Sequence, residues 1–491
     1  MSPRISINLT GEGRANNSGV SAWWISPVVY VVLFVLCLIT YHGITDNYLF
    51  NDDFSWMSRA RFDMTPSNLF TYRVVNFFRP LINVTFYAFE HLAPGNLTLQ
   101  YAFNLLLHFI CSVLVFHLFI RLLNDWRQAA AGAALFAVSS IHTGAVFWIS
   151  ARTTLLSTAL LLGAILLLIT GKKRRRFTVI SSTALFILSL LAKETAIAGL
   201  PILFLIWFLY RDEWKKTAVL KTSIISWSVV SAMYLITRKL VIGEFAQHNW
   251  GPGLHMLRNT AGGFLYQLRP WPFFSLFYHK GTALQEPTHP VLPELLVIGV
   301  LAFIWFLGRV TERRREFTLG SLWALAALVP ASAFMYRFFS TVSITQNRYY
   351  YLSSVGTSLL FVLVLALLWN SRKTILRTLS IAVLCVFIAG SIVRVDRLEK
   401  VWSDFTGMYR ESVSFMVTTI EENPGYTTAA LENPPLAFPY VADAVSLYKS
   451  DWKIKKVEGG VQQARPFAPC VYIMFNYDGD RVESVDVHTL E

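Results

Sequence analysis

The sequence predicts an all-α, polytopic membrane protein with about eleven transmembrane helices and a small α/β domain at its C-terminal end. Three observations predict this class. Of the 491 residues, 54% are hydrophobic and 15% are charged, whereas a soluble chain carries roughly 25% charged residues. The apolar residues form long runs, and the basic residues cluster between those runs. This composition excludes an ordinary soluble enzyme and an intrinsically disordered chain.

Apolar runs of about 18 residues or more are long enough to cross a bilayer as helices. The runs on either side of Lys193-Glu194 are short, which is compatible with two helices that meet at a charged turn. The predicted spans are 24–41, 100–120, 129–149, 154–170, 177–192, 195–210, 223–242, 291–308, 318–336, 350–369 and 375–393.

The charge distribution orients these spans. The net charge is +13, and basic clusters such as Lys172–Arg176 and Arg313–Arg315 fall on alternate loops. Basic loops face the cytoplasm, so residues 1–23 are predicted as a cytoplasmic leader before an uncleaved first anchor. The clusters separate apolar runs and do not form a basic groove. They therefore indicate the lipid bilayer as a partner and exclude nucleic acid.

This orientation divides the rest of the chain into two parts. Residues 24–398 form the transmembrane body, with a long first outer loop at 42–99 and a long outer segment at 243–290. Residues 399–491 have ordinary soluble composition and are predicted as an extracytoplasmic α/β domain. Its predicted elements are a helix at 402–421 and alternating strands over 470–488.

The cysteines indicate neither a disulfide framework nor a zinc site. Cys37, Cys111 and Cys385 lie in apolar runs, where cysteine behaves as a small buried hydrophobe. Cys470 also has no cysteine or histidine nearby at metal-site spacing. The sequence leaves the need for a divalent metal open.

The ionisable residues gather at the predicted outer ends of the helices, and the middles of the spans are almost free of charge. Transporters usually carry ionisable groups at mid-membrane and broken helices in two matching halves. Neither feature is visible in the sequence. The distribution therefore favours an active site at one membrane surface.

The acidic candidates are Asp52 and Asp53, which follow Asn51 in the first outer loop. Either can cap a helix, and either can act as a general base. Adjacent residues project about 100° apart on a helix, so both carboxylates are not expected to do the same work. One acts as the base, and the other caps the helix or binds substrate or a metal.

The basic candidates are four cations on the side where basic residues are disfavoured. Each alone is explained by a side chain whose charged head reaches the membrane surface, but the set favours an anion, and a lipid phosphate is the obvious one. Glu194 is either the salt-bridge partner of Lys193, which we favour because an unpaired cation at bilayer depth is costly, or a second catalytic carboxylate. The four cations are Arg79, Arg152, Lys193 and Arg348.

The histidines carry a weaker signal. His108 lies in the second predicted span and shares a helix face with Asn104, four residues earlier. A histidine in such a place is more often a hydrogen-bonded packing residue than a ligand.

Together these pieces resemble a family, the integral-membrane glycosyltransferases of the GT-C fold. The closest likeness is to the transmembrane-and-TPR type of O-mannosyltransferase and its bacterial relatives, without the TPR array. Protein O-mannosyltransferases and the aminoarabinose transferases of lipid A are more distant. The resemblance covers residues 20–400 and is carried by Asp52-Asp53, Phe78-Arg79-Pro80-Leu81, Asn104-Leu105-Leu106-Leu107-His108, Ala151-Arg152, Lys193-Glu194 and Arg348-Tyr349-Tyr350-Tyr351-Leu352-Ser353-Ser354-Val355-Gly356.

The resemblance implies an inverting glycosyltransferase of the bacterial inner membrane with its site on the periplasmic side. The donor is a polyprenyl-phosphate sugar and the acceptor is a hydroxyl on a protein, glycan or lipid. Asp52 takes the role of base, with Asp53 as the alternative. Arg348, Lys193, Arg79 and Arg152 bind the donor phosphate, and Glu194, His108 and Tyr349 support them.

Three positions depart from the pattern of the family. Thr154 stands where the family often has Asp, Asn347 where it usually has Glu, and Ser353 where it has Pro. Other readings of the sequence are a carrier or flippase for lipid-linked sugar, a polysaccharide polymerase or ligase, and a non-catalytic scaffold for the C-terminal domain.

Overall fold

A computed structural model describes residues 25–74, 77–170, 175–211, 217–243, 254–268, 286–287, 293–332, 341–342, 344–434, 440–448, 451–458, 460–478 and 481–490. The predicted leader and most of the outer segment 243–290 lie outside these residues. So does most of the basic cluster at 172–176.

Helices dominate the described residues. They are α1 (Ile25–Thr40), α2 (Asp52–Phe62), α3 (Pro80–Leu92), α4 (Leu97–Leu123), α5 (Trp126–Ala137), α6 (Thr143–Val146), α7 (Arg152–Thr170), α8 (Arg175–Ala192), α9 (Gly199–Tyr210), α10 (Thr217–Ile242), α11 (Leu254–Leu268), α12 (Pro293–Val310), α13 (Arg314–Ser332), α14 (Ser353–Trp369), α15 (Thr374–Glu422), α16 (Tyr440–Ser446) and α17 (Val461–Ala464).

Five helices in the described part of the chain are long and apolar enough to cross a membrane: α4, α7, α8, α10 and α15. A sixth span results if α5 and residues 140–146, which meet at 49°, are counted together. Other apolar helices, such as those at Ser26–Thr40 and Ser353–Trp369, are shorter. The predicted count of eleven spans is therefore not confirmed, although the all-α class is.

The apolar run 129–149, predicted as one span, is broken after Ala137. A break exposes backbone carbonyls that a membrane protein must satisfy internally, and α4 supplies the donors. The His108 Nε2–H donates to the Ala137 carbonyl at 2.9 Å, and Asn104 Nδ2 donates to the Trp148 carbonyl at 2.9 Å. Hydropathy does not reveal this break because its compensation comes from another helix.

Helix α15 joins the membrane body to the C-terminal domain without a break. Its 49 residues run from Thr374 to Glu422, a length of about 73 Å at 1.5 Å per residue. It therefore contains both the predicted last span and the predicted helix at 402–421.

The C-terminal domain contains a four-stranded mixed sheet. Two short strands, β1 (Glu286–Pro287) and β2 (Thr341–Val342), pair elsewhere in the chain. The domain's strands are β3 (Thr428–Glu432), β4 (Lys453–Val457), β5 (Cys470–Asp478) and β6 (Arg481–Leu490). Their order in the sheet is β4-β3-β5-β6, with β3 parallel to β4 and β5, and with β6 antiparallel to β5. The sheet confirms the predicted α/β character, including strands over 470–488.

Close helix packing positions the tyrosine motif. Helices α13 and α14 cross at Gly320 and Gly356, where a Cβ atom on Gly356 would collide with the Gly320 carbonyl oxygen and the Ala324 backbone nitrogen. Small residues allow such backbone contact between membrane helices. The crossing holds the 3-10 turn Ile344–Tyr350, which precedes α14, at the end of the bundle.

Candidate active site

The site begins at a strained turn before α2. Asn51 has a φ of 41°, in the left-handed region, which costs free energy in a residue other than glycine. Asp53, which is fully buried, fixes the turn. Its carboxylate accepts hydrogen bonds from the backbone N–H of Phe50 at 3.0 Å, from the backbone N–H of Ser150 at 2.6 Å and from the Ser150 hydroxyl. Burial raises the pKa of the Asp53 carboxyl to about 7, despite these hydrogen bonds.

Asp53 thus joins the turn before α2 to the 3-10 turn Ile149–Ala151 and does not face open space. Asp52, one residue earlier, lines a cavity between these two turns. The two adjacent carboxylates therefore occupy different surroundings, one inside the protein and one at the cavity. The cavity, hereafter the polar cavity, is lined by Asp52, Phe77, Arg79, Trp148, Ser150, Ala151, Thr153, Lys193, Glu194, Arg348 and Tyr349.

Asp52 has one engaged oxygen and one free oxygen. The hydroxyl of Tyr440, in the C-terminal domain, donates to Asp52 Oδ1 at 2.7 Å. No residue in the described part of the chain donates a hydrogen bond to Oδ2. One carboxylate oxygen of Asp52 is therefore available to a ligand in the polar cavity.

Glu194 forms its ion pairs with arginine residues and not with Lys193. Arg79, which precedes Pro80 at the start of α3, donates one hydrogen bond to each carboxylate oxygen of Glu194, at 2.7 and 3.1 Å. Arg238 adds a weaker contact at 3.9 Å. The predicted ion pair between Lys193 and Glu194 is not observed, since Glu194 pairs with Arg79. Lys193 has extended backbone, with φ −159° and ψ 133°, and neighbouring side chains on extended backbone point apart.

Lys193 and Arg348 are the cations of the polar cavity that have no carboxylate within ion-pair distance among the described residues. Lys193 Nζ donates to the Thr154 hydroxyl at 2.5 Å and lies 5.1 Å from the centre of the Tyr349 ring. Arg348 donates to the Thr345 carbonyl and lies 4.2 Å from the centre of the Trp148 ring. Aromatic rings and neutral oxygens orient both cations, but neither group cancels a charge.

A second cavity continues from the first into the helix bundle. The two share Lys193, Arg348 and Tyr349. The second cavity runs between α7 and α13, so its walls combine hydroxyl groups with small apolar side chains. Its remaining lining residues are Thr154, Ser157, Thr158, Leu161, Thr195, Ala196, Ala327, Ala331 and Leu352.

Arg152 does not line either cavity. It is fully buried at the start of α7, where it donates to Gln100 Oε1 at 2.5 Å and lies 4.3 Å from the centre of the Phe86 ring. Gln100 in turn donates to Glu90, which accepts from Arg61 at 2.7 Å. We call Arg61, Glu90, Gln100 and Arg152 the buried network. Its donors and acceptors lie within the protein, so the structure does not bring Arg152 to the site predicted for it.

His108 also lies away from both cavities. Besides its bond to Ala137, its Nδ1 accepts from the Tyr351 hydroxyl at 2.6 Å. It therefore joins α4 to the broken span and to the tyrosine motif, and any influence on the site passes through Tyr351.

Three residues that contact the site residues or belong to the buried network were missed by the sequence analysis. Tyr440 carries no sequence signal, since it lies 388 residues from the aspartate it contacts. Glu90 falls in the long outer loop, where a single acidic residue is unremarkable. Arg238 did leave a signal, because a cation near the end of the apolar run 223–242 needs a partner.

The residues of the polar cavity do not fit a divalent metal. In the part of the chain that the structure describes, no group of three or more His, Cys, Asp or Glu side chains is arranged to hold a metal ion. Arg79 occupies both oxygens of Glu194, which leaves Asp52 as the free carboxylate of the cavity. Hard cations such as Mg²⁺ and Ca²⁺ need several oxygen ligands, and Lys193 and Arg348 would repel them.

Comparison with solved structures identifies the fold. The chain is similar to the oligosaccharyltransferase of Archaeoglobus fulgidus solved with a tethered acceptor peptide, with 12% identity and a TM-score of 0.50 over 90% of this chain and 65% of that one. It is similar to ArnT of Cupriavidus metallidurans, with 13% identity and a TM-score of 0.51 over 91% of this chain and 93% of that one. It is also similar to the A. fulgidus oligosaccharyltransferase AglB in complex with an inhibitory peptide and a dolichol-phosphate, with 12% identity and a TM-score of 0.50 over 92% of this chain and 69% of that one.

No model of a protein family matches the chain, and no curated protein matches its sequence. The chain spans less than two thirds of the first oligosaccharyltransferase chain named above. At identities of 12 to 13% the similarity shows the fold. The chain is therefore an integral, multi-pass membrane protein with the GT-C type of fold.

Proposed function

We propose that the protein is a membrane glycosyltransferase that moves a sugar from a polyprenyl-phosphate donor to a hydroxyl acceptor. One observation carries the proposal: Lys193 and Arg348, without carboxylate partners among the described residues, line the same cavity as Asp52. The cations can bind an anionic leaving group, and the carboxylate with a free oxygen can accept a proton. This pair of properties suits the transfer of a sugar from a phosphate to a hydroxyl group. Solved structures of this fold include complexes with a dolichol-phosphate and with acceptor peptides, which supports a lipid-linked donor.

Lys193 and Arg348 bind the donor phosphate. The phosphate is the leaving group, so its negative charge grows as the bond to the sugar breaks, and fixed cations stabilise that charge. Tyr349 packs against both cations, with ring distances of 5.1 Å to Lys193 and 4.7 Å to Arg348. It keeps them apart from each other and aimed at the cavity. Arg79 acts indirectly, because Glu194 already occupies its guanidinium.

Asp52 is the general base. Its free oxygen takes the proton of the acceptor hydroxyl while that oxygen forms a bond to the anomeric carbon. The bond from the anomeric carbon to the phosphate oxygen breaks in the same step, and the lipid phosphate leaves with the electron pair. A single displacement inverts the configuration at the anomeric carbon.

The second cavity explains why a membrane bundle holds this site. Its small and hydroxyl-bearing side chains between α7 and α13 leave room behind Lys193, on the side where the lipid part of the donor enters. Binding both substrates at one rim supplies the proximity that the reaction needs. The positive-inside pattern supports a rim on the extracytoplasmic face. The family resemblance of the sequence motifs supports a bacterial inner membrane and an acceptor of the O-mannosyltransferase kind.

Asp53, Arg152 and His108 have supporting places in this proposal. Asp53 fixes the turn that carries Asp52, Arg152 belongs to the buried network, and His108 holds the broken span. None of the three contacts substrate. Their replacement is expected to act through stability or geometry.

Sugar transfer by the purified protein tests the proposal. The protein is placed in lipid nanodiscs with polyprenyl-phosphate monosaccharides labelled in the sugar, together with membranes of cells that lack the gene as the acceptor source. We expect transfer from at least one donor, and a loss of ~10²-fold or more in turnover for Asp52→Asn, which cannot take a proton. Binding of farnesyl phosphate should persist in that variant.

Asp63→Asn is the matched control because it removes a carboxylate from the other end of α2, where Asp63 pairs with Arg59. This control should retain turnover. Normal turnover of Asp52→Asn would exclude Asp52 as the base. Failure of the unmodified protein to bind farnesyl phosphate, or to release sugar from any donor, would overturn the proposed function.

A further inference from the structure

We infer that the C-terminal domain completes the active site, with Tyr440 as a positioning residue that orients Asp52. The inference rests on the proposed function and extends it to a residue outside the membrane body. The observation behind it is the 2.7 Å hydrogen bond from the Tyr440 hydroxyl to Asp52 Oδ1. Tyr440 and Asp52 are 388 residues apart in sequence, so the contact depends wholly on the docking of two domains.

Hydrogen bonds between side chains hold α16, a helix of the C-terminal domain, against α2. Asp443 accepts hydrogen bonds from the Ser55 hydroxyl at 2.5 Å and from Arg59 at 3.1 Å. Ser58 and Ser446 bond through their hydroxyls at 2.6 Å. These contacts lie one turn apart on both helices, so α16 has a fixed place along α2. Tyr440, the first residue of α16, therefore presents its hydroxyl to Asp52 from a rigid element.

The direction of the hydrogen bond is also fixed. Burial raises the pKa of the Tyr440 hydroxyl above its ordinary value, and the Asp52 charge raises it further. The hydroxyl consequently stays protonated and donates to the carboxylate at physiological pH. Asp52 Oδ1 is thereby occupied, and Oδ2 is the oxygen that remains for the acceptor proton.

This bond has a second consequence, because Asp52 shares its cavity with two cations that lack carboxylate partners among the described residues. A carboxylate that rotated freely would pair with Lys193 or Arg348 and cancel the charge needed for the donor phosphate. Tyr440 provides a competing neutral donor that holds the carboxylate in one orientation. It thus keeps the base and the phosphate-binding cations separate while no substrate is bound.

The chain offers a matched control for this role. Tyr448, in the same segment, also bonds through its hydroxyl to the membrane body, at 2.8 Å from the Tyr48 hydroxyl. Tyr440→Phe and Tyr448→Phe therefore each delete one hydroxyl contact between the same two parts of the protein. The Tyr440 hydroxyl bonds to Asp52, and the Tyr448 hydroxyl does not.

The experiment measures sugar transfer for both Phe variants, alone and combined with Asp52→Asn, together with thermal unfolding midpoints. We expect Tyr440→Phe to lower kcat by about 10-fold, as expected for loss of a hydrogen bond to a charged group, with little change in the KM for donor. Tyr448→Phe should stay within about twofold of the unmodified protein. In the Asp52→Asn background, Tyr440→Phe should cause no further loss, because the carboxylate it orients no longer acts.

Ser55→Ala provides a second variant in case Tyr440→Phe fails to fold. It removes one bond between α2 and α16 and leaves Tyr440 in place, and it should lower kcat by about threefold. Equal effects of the two Phe variants would overturn the inference, as would an equal loss from Tyr440→Phe with and without Asp52. Failure of the unmodified protein to bind farnesyl phosphate or to release sugar would instead overturn the proposed function, and full turnover of Asp52→Asn would exclude Asp52 as its base, so these failures are distinguishable from failure of the inference.

Discussion

The polar cavity and the buried network are built from the same kinds of residue, yet they hold their charges in different ways. In the buried network, Arg152 is stacked on Phe86 and donates to Gln100, which leads to Glu90. In the cavity, Arg348 is stacked on Trp148 and has no carboxylate within ion-pair distance among the described residues. Both arginines pack against aromatic rings, but only Arg348 faces a cavity that a ligand can enter.

This difference shows that an arginine near a membrane surface does not by itself indicate a ligand. The two regions differ in whether the guanidinium group interacts with the protein or is accessible to a ligand. Protein acceptors take up the hydrogen bonds of Arg152 Nε and Nη2, while its buried Nη1 has no acceptor among the described residues. Such a group stabilises the fold only as long as its partners remain. The charge of Arg348 is left for an anion. The following predictions test this contrast by stability in one region and by affinity in the other.

The largest effect is expected in the buried network. Arg152→Met keeps an apolar stem but leaves Gln100 Oε1 and the Ile149 carbonyl without their donor. Buried acceptors without a partner are costly, so we expect the free energy of unfolding to fall by about 3 kcal/mol. Thermal unfolding in detergent measures this loss. Farnesyl phosphate affinity, measured well below the midpoint, should stay within about twofold.

The same substitution at an exposed arginine provides the control. Arg127 lies on the surface, 5.6 Å from the centre of the Trp126 ring, and Arg127→Met should change neither property measurably. A stable Arg152→Met variant that no longer binds farnesyl phosphate would place Arg152 in the donor site and erase the contrast between the two regions.

The next effect is expected in the cavity. Arg348→Ala removes a cation whose role is to bind phosphate, so the affinity for farnesyl phosphate should fall about 30-fold, as expected for one charge-assisted contact. The unfolding midpoint should change little. Calorimetric titration of nanodiscs with farnesyl phosphate, and with farnesol as the uncharged control ligand, measures the difference.

Arg309→Ala is the matched variant, because Arg309 also stacks on a tryptophan, Trp305 at 4.6 Å, but lies outside both cavities. Unchanged affinity in Arg348→Ala would remove Arg348 from the site. Equal losses in both arginine variants would show that the phosphate responds to the overall charge of the protein and not to this cavity.

Much of the cavity could be predicted because topology alone brings its members together. Lys193 and Arg348 each lie at the end of an apolar run and Asp52 lies in the first outer loop, all on the same predicted side. Helix ends and loops on one side of a bundle occupy one layer. The sequence does not show which way a side chain faces within that layer. Arg152 belongs to the same layer by position, but its side chain points into the protein.

Other features depend on contacts that no local pattern encodes. At the break after Ala137, His108 and Asn104 on another helix donate hydrogen bonds to the Ala137 and Trp148 carbonyls. The hydrogen bond between Tyr440 and Asp52 joins two domains across almost the whole chain. Adjacency in the sequence predicted an ion pair between Lys193 and Glu194. The pair does not form because the extended backbone at Lys193 points the two side chains apart.

The smallest effect is expected at Glu194, where the two kinds of region meet. Glu194 gives Arg79 a protein partner, as Gln100 does for Arg152, yet it lines the polar cavity. Glu194→Gln removes this negative charge and frees Arg79 to attract the donor. We therefore expect farnesyl phosphate to bind about fivefold more tightly at low salt, an effect of roughly 1 kcal/mol that salt weakens.

Glu458→Gln controls for the change in net charge, since Glu458 is 71% exposed in the C-terminal domain and pairs with Lys456. Its affinity for farnesyl phosphate should not change. Turnover gives a second comparison, because an Arg79 that is no longer held by Glu194 loses its fixed position, and kcat should fall while affinity rises. Weaker binding in Glu194→Gln would mean that the Arg79–Glu194 pair shapes the phosphate site directly. The polar cavity would then depend, as the buried network does, on charges that are paired within the protein.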